Sequence, residues 1–258
     1  MNAIDGRKNY FDIILEKLNS SELVEGIVQI GSGVTGFNDV LSDIDLMVTT
    51  TRVVDAISTK NAVYAIFNEF NPIYIKEKQF SKDIFLLIVI MENKLEFNVS
   101  VVPREFLTVK SPLWKVVVDK TGLVTEKMNS EYEKFENKPV KYEIGLDLPF
   151  EFVYCAMGLD KALRRNNLIY ALSLLETMRT YTLYLQAMVE NKKLHQFKAY
   201  DTLDPTFIKE YLTTYPNTIS LRNLEDSSQK LKELFEKVLS KSSIFTMEPA
   251  LKGLLYQH

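Results

Sequence analysis

The sequence predicts an α+β fold, in which residues 1–148 form a small mixed β-sheet with helices and residues 149–258 form an all-helical bundle. Apolar residues in the first half follow the short runs and alternation typical of strands, whereas from Pro149 onward they recur at helical spacing. Between these patterns, residues 103–147 contain three prolines and are interpreted as connection with some short helix. A chain of 258 residues can bury two modest cores.

Short patterns predict the elements of the first half. Residues 8–19 form an amphipathic helix that leads into an apolar strand and a Gly-Ser turn. A second apolar strand follows, and then a helix over residues 54–70. The apolar runs 84–91 and 94–102, joined by Glu92-Asn93, predict a β-hairpin. Together these elements predict a small mixed sheet with its helices on one side.

Helical spacing dominates the second half. Residues 152–163 place their apolar side chains on one face, Asn166-Asn167 interrupts the pattern, and residues 168–188 continue it. Asp204-Pro205 predicts an N-cap followed by proline at the first helical position. Residues 221–239 predict a further amphipathic helix, which completes a bundle.

Composition restricts the compartment and the partners. The longest apolar run, residues 84–91, is too short to span a bilayer. Cys155 is the only cysteine, so no internal disulfide can form, and its apolar neighbours at helical spacing predict a core thiol. The net charge is −3, and the basic residues do not form the stripe that nucleic-acid binders display. We therefore expect a cytoplasmic protein that acts on a small molecule rather than on a membrane or a nucleic acid.

The most informative pattern lies in residues 30–48. An apolar strand enters the turn, and after a spacer a second apolar strand carries Asp43 and Asp45. Residues two apart on a strand point to the same side, so both carboxylates face away from the core. Aspartate is depleted from strands and costly beside a core unless it is paired or bound to a metal. The pair therefore predicts a divalent-cation site, and magnesium is usually held by one or two carboxylates plus substrate phosphates.

Two further features complement this carboxylate pair. Glycine lets the backbone of the Gly31-Ser32 turn approach a ligand closely, and N–H groups at a following helix start attract phosphates. In residues 94–102, Glu96 alternates with apolar residues and offers a third carboxylate. Taken separately, these features are better explained as an ordinary turn and a solvated glutamate, and the presence of Asp43 and Asp45 reverses that preference.

The strand, Gly-Ser turn, spacer and Asp-x-Asp together resemble the nucleotidyltransferase superfamily typified by DNA polymerase β. A helical second domain extends the resemblance to the two-domain aminoglycoside adenylyltransferases. This resemblance implies transfer of AMP, with ATP as the expected NTP, to a hydroxyl of an aminoglycoside-like antibiotic, and hence antibiotic resistance. It implies that Asp43 and Asp45 carry two magnesium ions, with Glu96 as a third metal ligand or as general base.

The resemblance also implies roles for further residues, including the segment Asp-Lys-x-x-Arg-Arg-Asn at residues 160–166. Asp160 and Glu151 are alternative general bases from the second domain. The implied nucleotide-binding residues are Gly31, Ser32, Gly33, Ser42, Lys161, Arg164 and Arg165.

Several questions stay open at the level of sequence. The segment 160–166 equally fits a solvated helix end, and the acids between Glu131 and Glu151 fit either a subsite for a cationic acceptor or a solvated linker. The acceptor could instead be RNA or protein, as for toxin-like members of the superfamily. A non-catalytic nucleotide sensor is a third alternative, against which the intact Asp43 and Asp45 argue. Both a monomer and a homodimer are compatible with the sequence.

Overall fold

The computed structural model describes residues 3–36, 42–142, 144–192 and 200–256, and the chain divides into two compact units. The first unit is Met1–Pro139 and the second is Val140–His258. This division falls earlier in the chain than the boundary predicted after residue 148, because Val140 and Ile144 pack against the helical core of the second unit.

A six-stranded mixed sheet forms the centre of the first unit, which confirms the predicted mixed sheet. Its strands are β1 (Gly26–Ile30), β2 (Ile44–Thr50), β3 (Tyr74–Ser81), β4 (Ile84–Ile90), β5 (Glu96–Pro103) and β6 (Trp114–Asp119). They lie in the order β3-β4-β5-β2-β1-β6. Strands β2 and β5 run parallel, and all other neighbours are antiparallel. The predicted hairpin is confirmed as β4 and β5.

Two helices cover one face of this sheet. They are α1 (Ala3–Ser20) and α2 (Ala56–Asn68), and both were predicted. They pack on the inward-facing side chains of β2, β4 and β5 because their apolar residues recur at helical spacing. The fully buried residues that α1 and α2 contribute include Ile14, Leu18, Val63 and Phe67.

A third helix, α3 (Leu123–Glu136), lies on the opposite face of the sheet. Ile27 faces the core beneath α1 and α2, so its neighbour Gly26 faces the other way. A Cβ atom at Gly26 would lie 2.8 Å from Cγ2 of Val124, which belongs to α3. The expectation that helices cover only one side of the sheet was therefore wrong.

The error arose in residues 103–147, which contain β6 and α3 rather than mainly connection. Strand β6 has no clean alternation of buried and exposed residues, because it is an edge strand. The other edge strand, β3, is almost wholly exposed and was not predicted for the same reason.

The second unit is helical, which confirms the predicted class of this half. Side chains of Asp147, Asn167 and Asp204 cap the starts of α4, α5 and α6, and Pro205 begins α6 as predicted. Among the described residues, none of the helices has the length and apolarity that crossing a membrane requires. Within its described residues, the helices of this unit are α4 (Leu148–Arg164), α5 (Leu168–Val189), α6 (Pro205–Thr213), α7 (Leu221–Leu239) and α8 (Pro249–Tyr256).

A buried arginine joins α5 to the segment that follows α6. Arg179 is fully buried, and its Nε donates to Oγ1 of Thr214 at 3.1 Å while Nη2 donates to the carbonyl oxygen of Thr214 at 2.5 Å. Nη1 donates to Glu176 at 2.5 Å, and the guanidinium lies 4.0 Å from the ring centre of Tyr215. A buried charge is tolerated only when it is partnered in this way.

The carboxylate of Asp119 accepts several hydrogen bonds at the start of α3 and is expected to stabilise the first unit. Asp119 ends β6, and its carboxylate accepts hydrogen bonds from the backbone N–H groups of Thr121, Gly122 and Thr125 and from the hydroxyl of Thr125. Burial alone would raise the pKa of Asp119, but these hydrogen bonds outweigh it and hold the pKa below its usual value.

We expect Asp119→Ala to lower the free energy of unfolding by about 1–2 kcal/mol at pH 7, since it removes the acceptor for backbone N–H groups at the start of α3. Because the folded-state pKa is lowered, the contribution is present above the ordinary aspartate pKa and is lost as the pH falls through the folded pKa. Urea denaturation should therefore show a nearly constant difference from the parent between pH 7 and pH 5 and a shrinking difference as the pH falls from 4 to 3. Asp83→Ala, in the turn between β3 and β4, is the matched control, and an equal effect of both variants would contradict the assignment.

Candidate active site

Two aspartates lie on the face of the sheet that α1 and α2 leave uncovered. Ile44 and Leu46 of β2 are buried on the core face, and Asp45 between them points to the opposite face. Asp43 directly precedes β2 and lies close enough for its charge to act on Asp45. The structure thus brings the two predicted carboxylates together.

Strand β5 adds an amide between these carboxylates. Asn98 lies opposite Asp45 in the parallel register, and its Nδ2 donates to Oδ2 of Asp43 at 3.0 Å. Asn98 also hydrogen-bonds the side chain of Asp45. The sequence did not assign Asn98 to the site, because only the pairing of β2 with β5 shows that it bridges the aspartates.

The electrostatics of the site are unfavourable to an ionised Asp45. Burial, followed by the charge of Asp43, raises the pKa of Asp45 to about 6 from 3.8, with Glu96 adding to the effect and the Asn98 hydrogen bond opposing it. A cation held by the carboxylates would stabilise their ionised forms. The arrangement is therefore suited to a positively charged ligand.

The Gly-Ser turn contacts the same carboxylate. Gly31 directly follows β1 and opens a short 3₁₀ turn, Gly31–Thr35, in which its φ is +78°. A Cβ atom at Gly31 would lie only 2.8 Å from Oδ2 of Asp45, so both the backbone conformation and the close approach require glycine. Ser32 and Gly33 follow in the turn and are partly exposed. The two halves of the sequence motif therefore meet in space.

A row of paired residues that includes Asp45 crosses four neighbouring strands of the sheet. Register pairs join Asn98 to Asp45, Asp45 to Ile30, and Ile30 to Trp114. Residues paired in this way share one face of a sheet, so Trp114 lies on the face of the carboxylates. Its ring contacts Tyr132 of α3 edge-on, with 5.7 Å between the ring centres. Trp114 was missed from the sequence because β6 was not predicted.

The oxygen donors fit a hard cation. Magnesium takes oxygen ligands, usually from one or two protein carboxylates and from substrate phosphates, and Asp43 and Asp45 supply such a pair beside the turn. Among the residues that the structure describes, no three His, Cys, Asp or Glu side chains are close enough together to hold a metal ion. Glu96 as a third ligand therefore stays a prediction. Ser42 directly precedes Asp43, and the spacer residues 37–41 lie outside the described residues.

The predicted residues of the second unit occupy different environments. Lys161 and Arg165 line a cavity between α4 and α5, whereas the exposed Arg164 does not. Oδ1 of Asp160 lies 3.9 Å from Nζ of the buried Lys232. Their assignment to the nucleotide or to proton transfer stays a prediction.

Two acids named from the sequence also have identified neighbours. Glu131, in α3 of the first unit, accepts hydrogen bonds from Lys127 and Lys134, so its charge is already paired. Glu151 lies in the first turn of α4, and after burial its charge is the second cause that raises the pKa of the Cys155 thiol. Cys155 is buried, which matches the predicted core thiol.

A protein family and several solved structures are similar to this chain. A family model described as streptomycin adenylyltransferase matches residues 5–247. An aminoglycoside 6-adenyltransferase from Bacillus subtilis is 14% identical, with 98% of this chain and 96% of that chain covered and a TM-score of 0.38. A nucleotidyltransferase-like protein from Exiguobacterium sibiricum is 11% identical, with 91% and 74% covered and a TM-score of 0.41. Comparison with curated protein sequences gives no match.

The contact between Gly31 and Asp45 can be tested by Gly31→Ala. We expect this variant to weaken binding of magnesium-ATP at least tenfold, because the added methyl group displaces the Asp45 carboxylate as well as straining the backbone. Gly122→Ala is the matched control, since Gly122 has the same φ of +78° but no atom within 4 Å of an added Cβ. Calorimetry should show parent-like affinity for the control, and equal affinity in the two variants would contradict the contact.

Proposed function

This chain belongs to the streptomycin adenylyltransferase family, and on that premise we propose that it transfers AMP from ATP to a hydroxyl of an aminoglycoside-type acceptor. The observation that carries the proposal is the carboxylate pair, Asp43 and Asp45, in contact with the glycine that opens the Gly-Ser turn. A nucleotidyltransferase needs this combination of an anion-holding turn and cation-holding acids.

The proposed reaction is attack of the acceptor hydroxyl on the α-phosphate of ATP, with pyrophosphate as the leaving group. The bond from the α-phosphate to the β,γ-diphosphate breaks as the new phosphate ester forms, and the hydroxyl proton passes to a base. Such a transfer depends on positioning and on charge neutralisation more than on covalent chemistry by the protein.

Different residues of the first unit position the metal ions and the phosphates of ATP in this proposal. In this proposal Asp43 and Asp45 hold two magnesium ions, and Asn98 orients both aspartates. Bound magnesium supplies charge neutralisation on the attacking and leaving oxygens. Gly31, Ser32 and Gly33 hold the distal phosphates through the turn.

The proposed general base is chosen from the carboxylates near the site, and the proposed acceptor from the charge of the sequence and the family description. Glu96 shares the sheet face with Asp45 and is the proposed base or third metal ligand, with Asp160 and Glu151 as the alternatives in the second unit. A small hydroxylated acceptor is supported by the net charge of −3 and the lack of a basic stripe in the sequence. The family description supports the aminoglycoside class among such acceptors.

We expect Asp43→Asn or Asp45→Asn to reduce nucleotide transfer at least a hundredfold while leaving the fold intact. Each change removes one charged ligand but keeps the side-chain shape, and loss of metal-held geometry costs several kcal/mol in the transition state. Transfer of label from α-³²P-ATP measures the effect, and urea denaturation checks the fold. Asp83→Asn, outside the site, should transfer like the parent. Parent-like turnover in either site variant would refute the assignment.

The acceptor class is tested by offering each labelled NTP with magnesium to streptomycin, other aminoglycosides, tRNA and a protein mixture. We expect label from ATP on an aminoglycoside, because the basic residues in the sequence do not form the stripe that a polyanionic acceptor requires. Label that appears only on RNA or protein would overturn the acceptor class and leave the carboxylate site standing. Absence of transfer to every acceptor, with nucleotide binding intact, would favour a non-catalytic sensor.

A further inference from the structure

Strand β4 is apolar on both faces of the sheet. Phe85, Leu87 and Val89 are buried on the core face, whereas the residues that alternate with them point to the face of Asp45 and are only partly buried. An antiparallel strand with one solvated face normally alternates apolar and polar residues. The second apolar face of β4 therefore indicates contact with a further group. Its residues are Ile84, Leu86, Ile88 and Ile90.

The sheet register joins this apolar face to the candidate active site. Ile90 lies opposite Glu96 of β5, and Ile88 lies opposite Asn98, the residue that bridges the two aspartates. Residues paired in this way share one face of a sheet. Neighbouring strands are roughly 5 Å apart, so apolar surface begins directly beside the carboxylate proposed as the base.

Tyr74 of the edge strand β3 continues this apolar surface. It is paired with Ile90, and the next residue, Ile75, packs against the core on the other side of the sheet. Tyr74 therefore lies on the face of Glu96, roughly 10 Å from it across two strands. It is 55% exposed, so its ring is open to a ligand. Glu96, Ile90 and Tyr74 together form a surface that we call the outer row.

The direction of the proposed reaction places the acceptor over the outer row. Attacking and leaving oxygens lie on opposite sides of the phosphorus atom in such a transfer. In the proposed function the pyrophosphate is held by the turn Gly31–Thr35 after β1, the metal-holding aspartates lie on β2, and Glu96 lies beyond them on β5. An acceptor whose hydroxyl approaches from the side of Glu96 therefore extends away from β1, across β4 and β3.

The other side of the same sheet face is already filled. Helix α3 packs over β1 and β6 there, with Val124 next to Gly26 and Tyr132 against Trp114. On the side of β4 and β3, by contrast, the side chains of this face are partly or largely exposed. Space for a bulky acceptor is thus available where the direction of attack requires it.

The chemistry of the outer row fits a sugar ring that bears cationic groups. The C–H face of such a ring packs on Ile90 and on the ring of Tyr74, and a cationic group over an aromatic face is attracted to it. Glu96 adds negative charge at one end. Lys76, paired with Ile88 in the neighbouring row, repels cations. The cationic groups of an acceptor are therefore directed along the outer row.

We propose that Glu96, Ile90 and Tyr74 form the floor of the acceptor subsite, and that Tyr74 determines acceptor affinity by contacting the ring system of an aminoglycoside. The identity of the acceptor rests on the proposed function. The location goes beyond it, because the turn and the carboxylate pair alone do not indicate which surface receives the acceptor. Tyr74 binds in this proposal and takes no part in proton transfer.

The test is steady-state transfer of label from α-³²P-ATP to streptomycin by Tyr74→Leu and Tyr74→Phe. Leucine keeps an apolar side chain on the edge strand but removes the aromatic face. The KM for streptomycin should therefore rise about fivefold to tenfold, while kcat and the KM for ATP stay within about twofold of the parent. Tyr74→Phe keeps the ring and should have a streptomycin KM within about twofold of the parent.

Phe80→Leu is the matched control. Phe80 is 65% exposed and lies near the far end of the same strand, roughly 20 Å from Tyr74, so its variant should behave like the parent. A parent-like streptomycin KM in Tyr74→Leu, or an equal rise in Phe80→Leu, would overturn the acceptor subsite and leave the proposed function standing. Transfer by the parent to no aminoglycoside would overturn the proposed function, and the subsite with it.

Lys76→Ala separates a cationic acceptor from a polyanionic one on this face. Because Lys76 repels cations, its removal should leave the KM for streptomycin equal to the parent value or lower. An RNA acceptor would instead lose affinity when this charge is removed. A raised streptomycin KM in Lys76→Ala would overturn the proposed path of the cationic groups along the outer row.

Calorimetry gives a readout that does not depend on turnover. Streptomycin is titrated into the full chain with magnesium and α,β-methylene-ATP, whose α,β-bridge is not cleaved by nucleotide transfer. The Kd for streptomycin should rise in Tyr74→Leu by about the same factor as the KM, and should stay near the parent value in Tyr74→Phe and Phe80→Leu. An unchanged Kd in Tyr74→Leu would overturn the contact between Tyr74 and the acceptor.

Discussion

Repulsion between two carboxylates on one strand face is the constraint on which the candidate active site depends. Burial, and after it the charge of Asp43, raises the pKa of Asp45 to about 6. Such an arrangement lowers the stability of the ligand-free protein. It is tolerated where a bound ligand removes the repulsion between the carboxylates. The surroundings serve to hold the pair in place: Asn98 donates to both, and Gly31 leaves room for one carboxylate oxygen.

Two buried or partly buried charged residues, Arg179 and Asp45, differ in how well their charges are compensated. Arg179 is fully buried, and every part of its guanidinium has a partner in Glu176, Thr214 or Tyr215. Its role is therefore to hold helices together, because a satisfied buried charge has no capacity left for a ligand. Asp45 represents the second kind, since it is partly buried beside the charges of Asp43 and Glu96 and the Asn98 hydrogen bond offsets them only in part. Charged side chains that lack a fully compensating partner, such as Asp45, are the physical feature that points to function.

Local spacing was sufficient to find the carboxylate pair and its turn. Alternation along β2 places Asp43 and Asp45 on one side, and a Gly-Ser turn after a strand can be recognised without knowledge of any other element. Asn98 and Trp114 could not be assigned in this way, because they reach the site only through the pairing of β5 with β2 and of β6 with β1. Pairing across a sheet depends on contacts far apart in sequence.

The sequence by itself determined the α+β class, the core faces of the helices and the caps at Asp204-Pro205, and it identified the candidate residues for holding a cation and phosphates. Each of these depends on periodicity or side-chain chemistry within a few residues. The tertiary structure decided the edge strands β3 and β6 and the position of α3, because polar edge strands carry little hydrophobic pattern. It also separated Lys161 and Arg165 from Arg164, since which of three neighbouring cations lines a cavity depends on where α5 packs against α4.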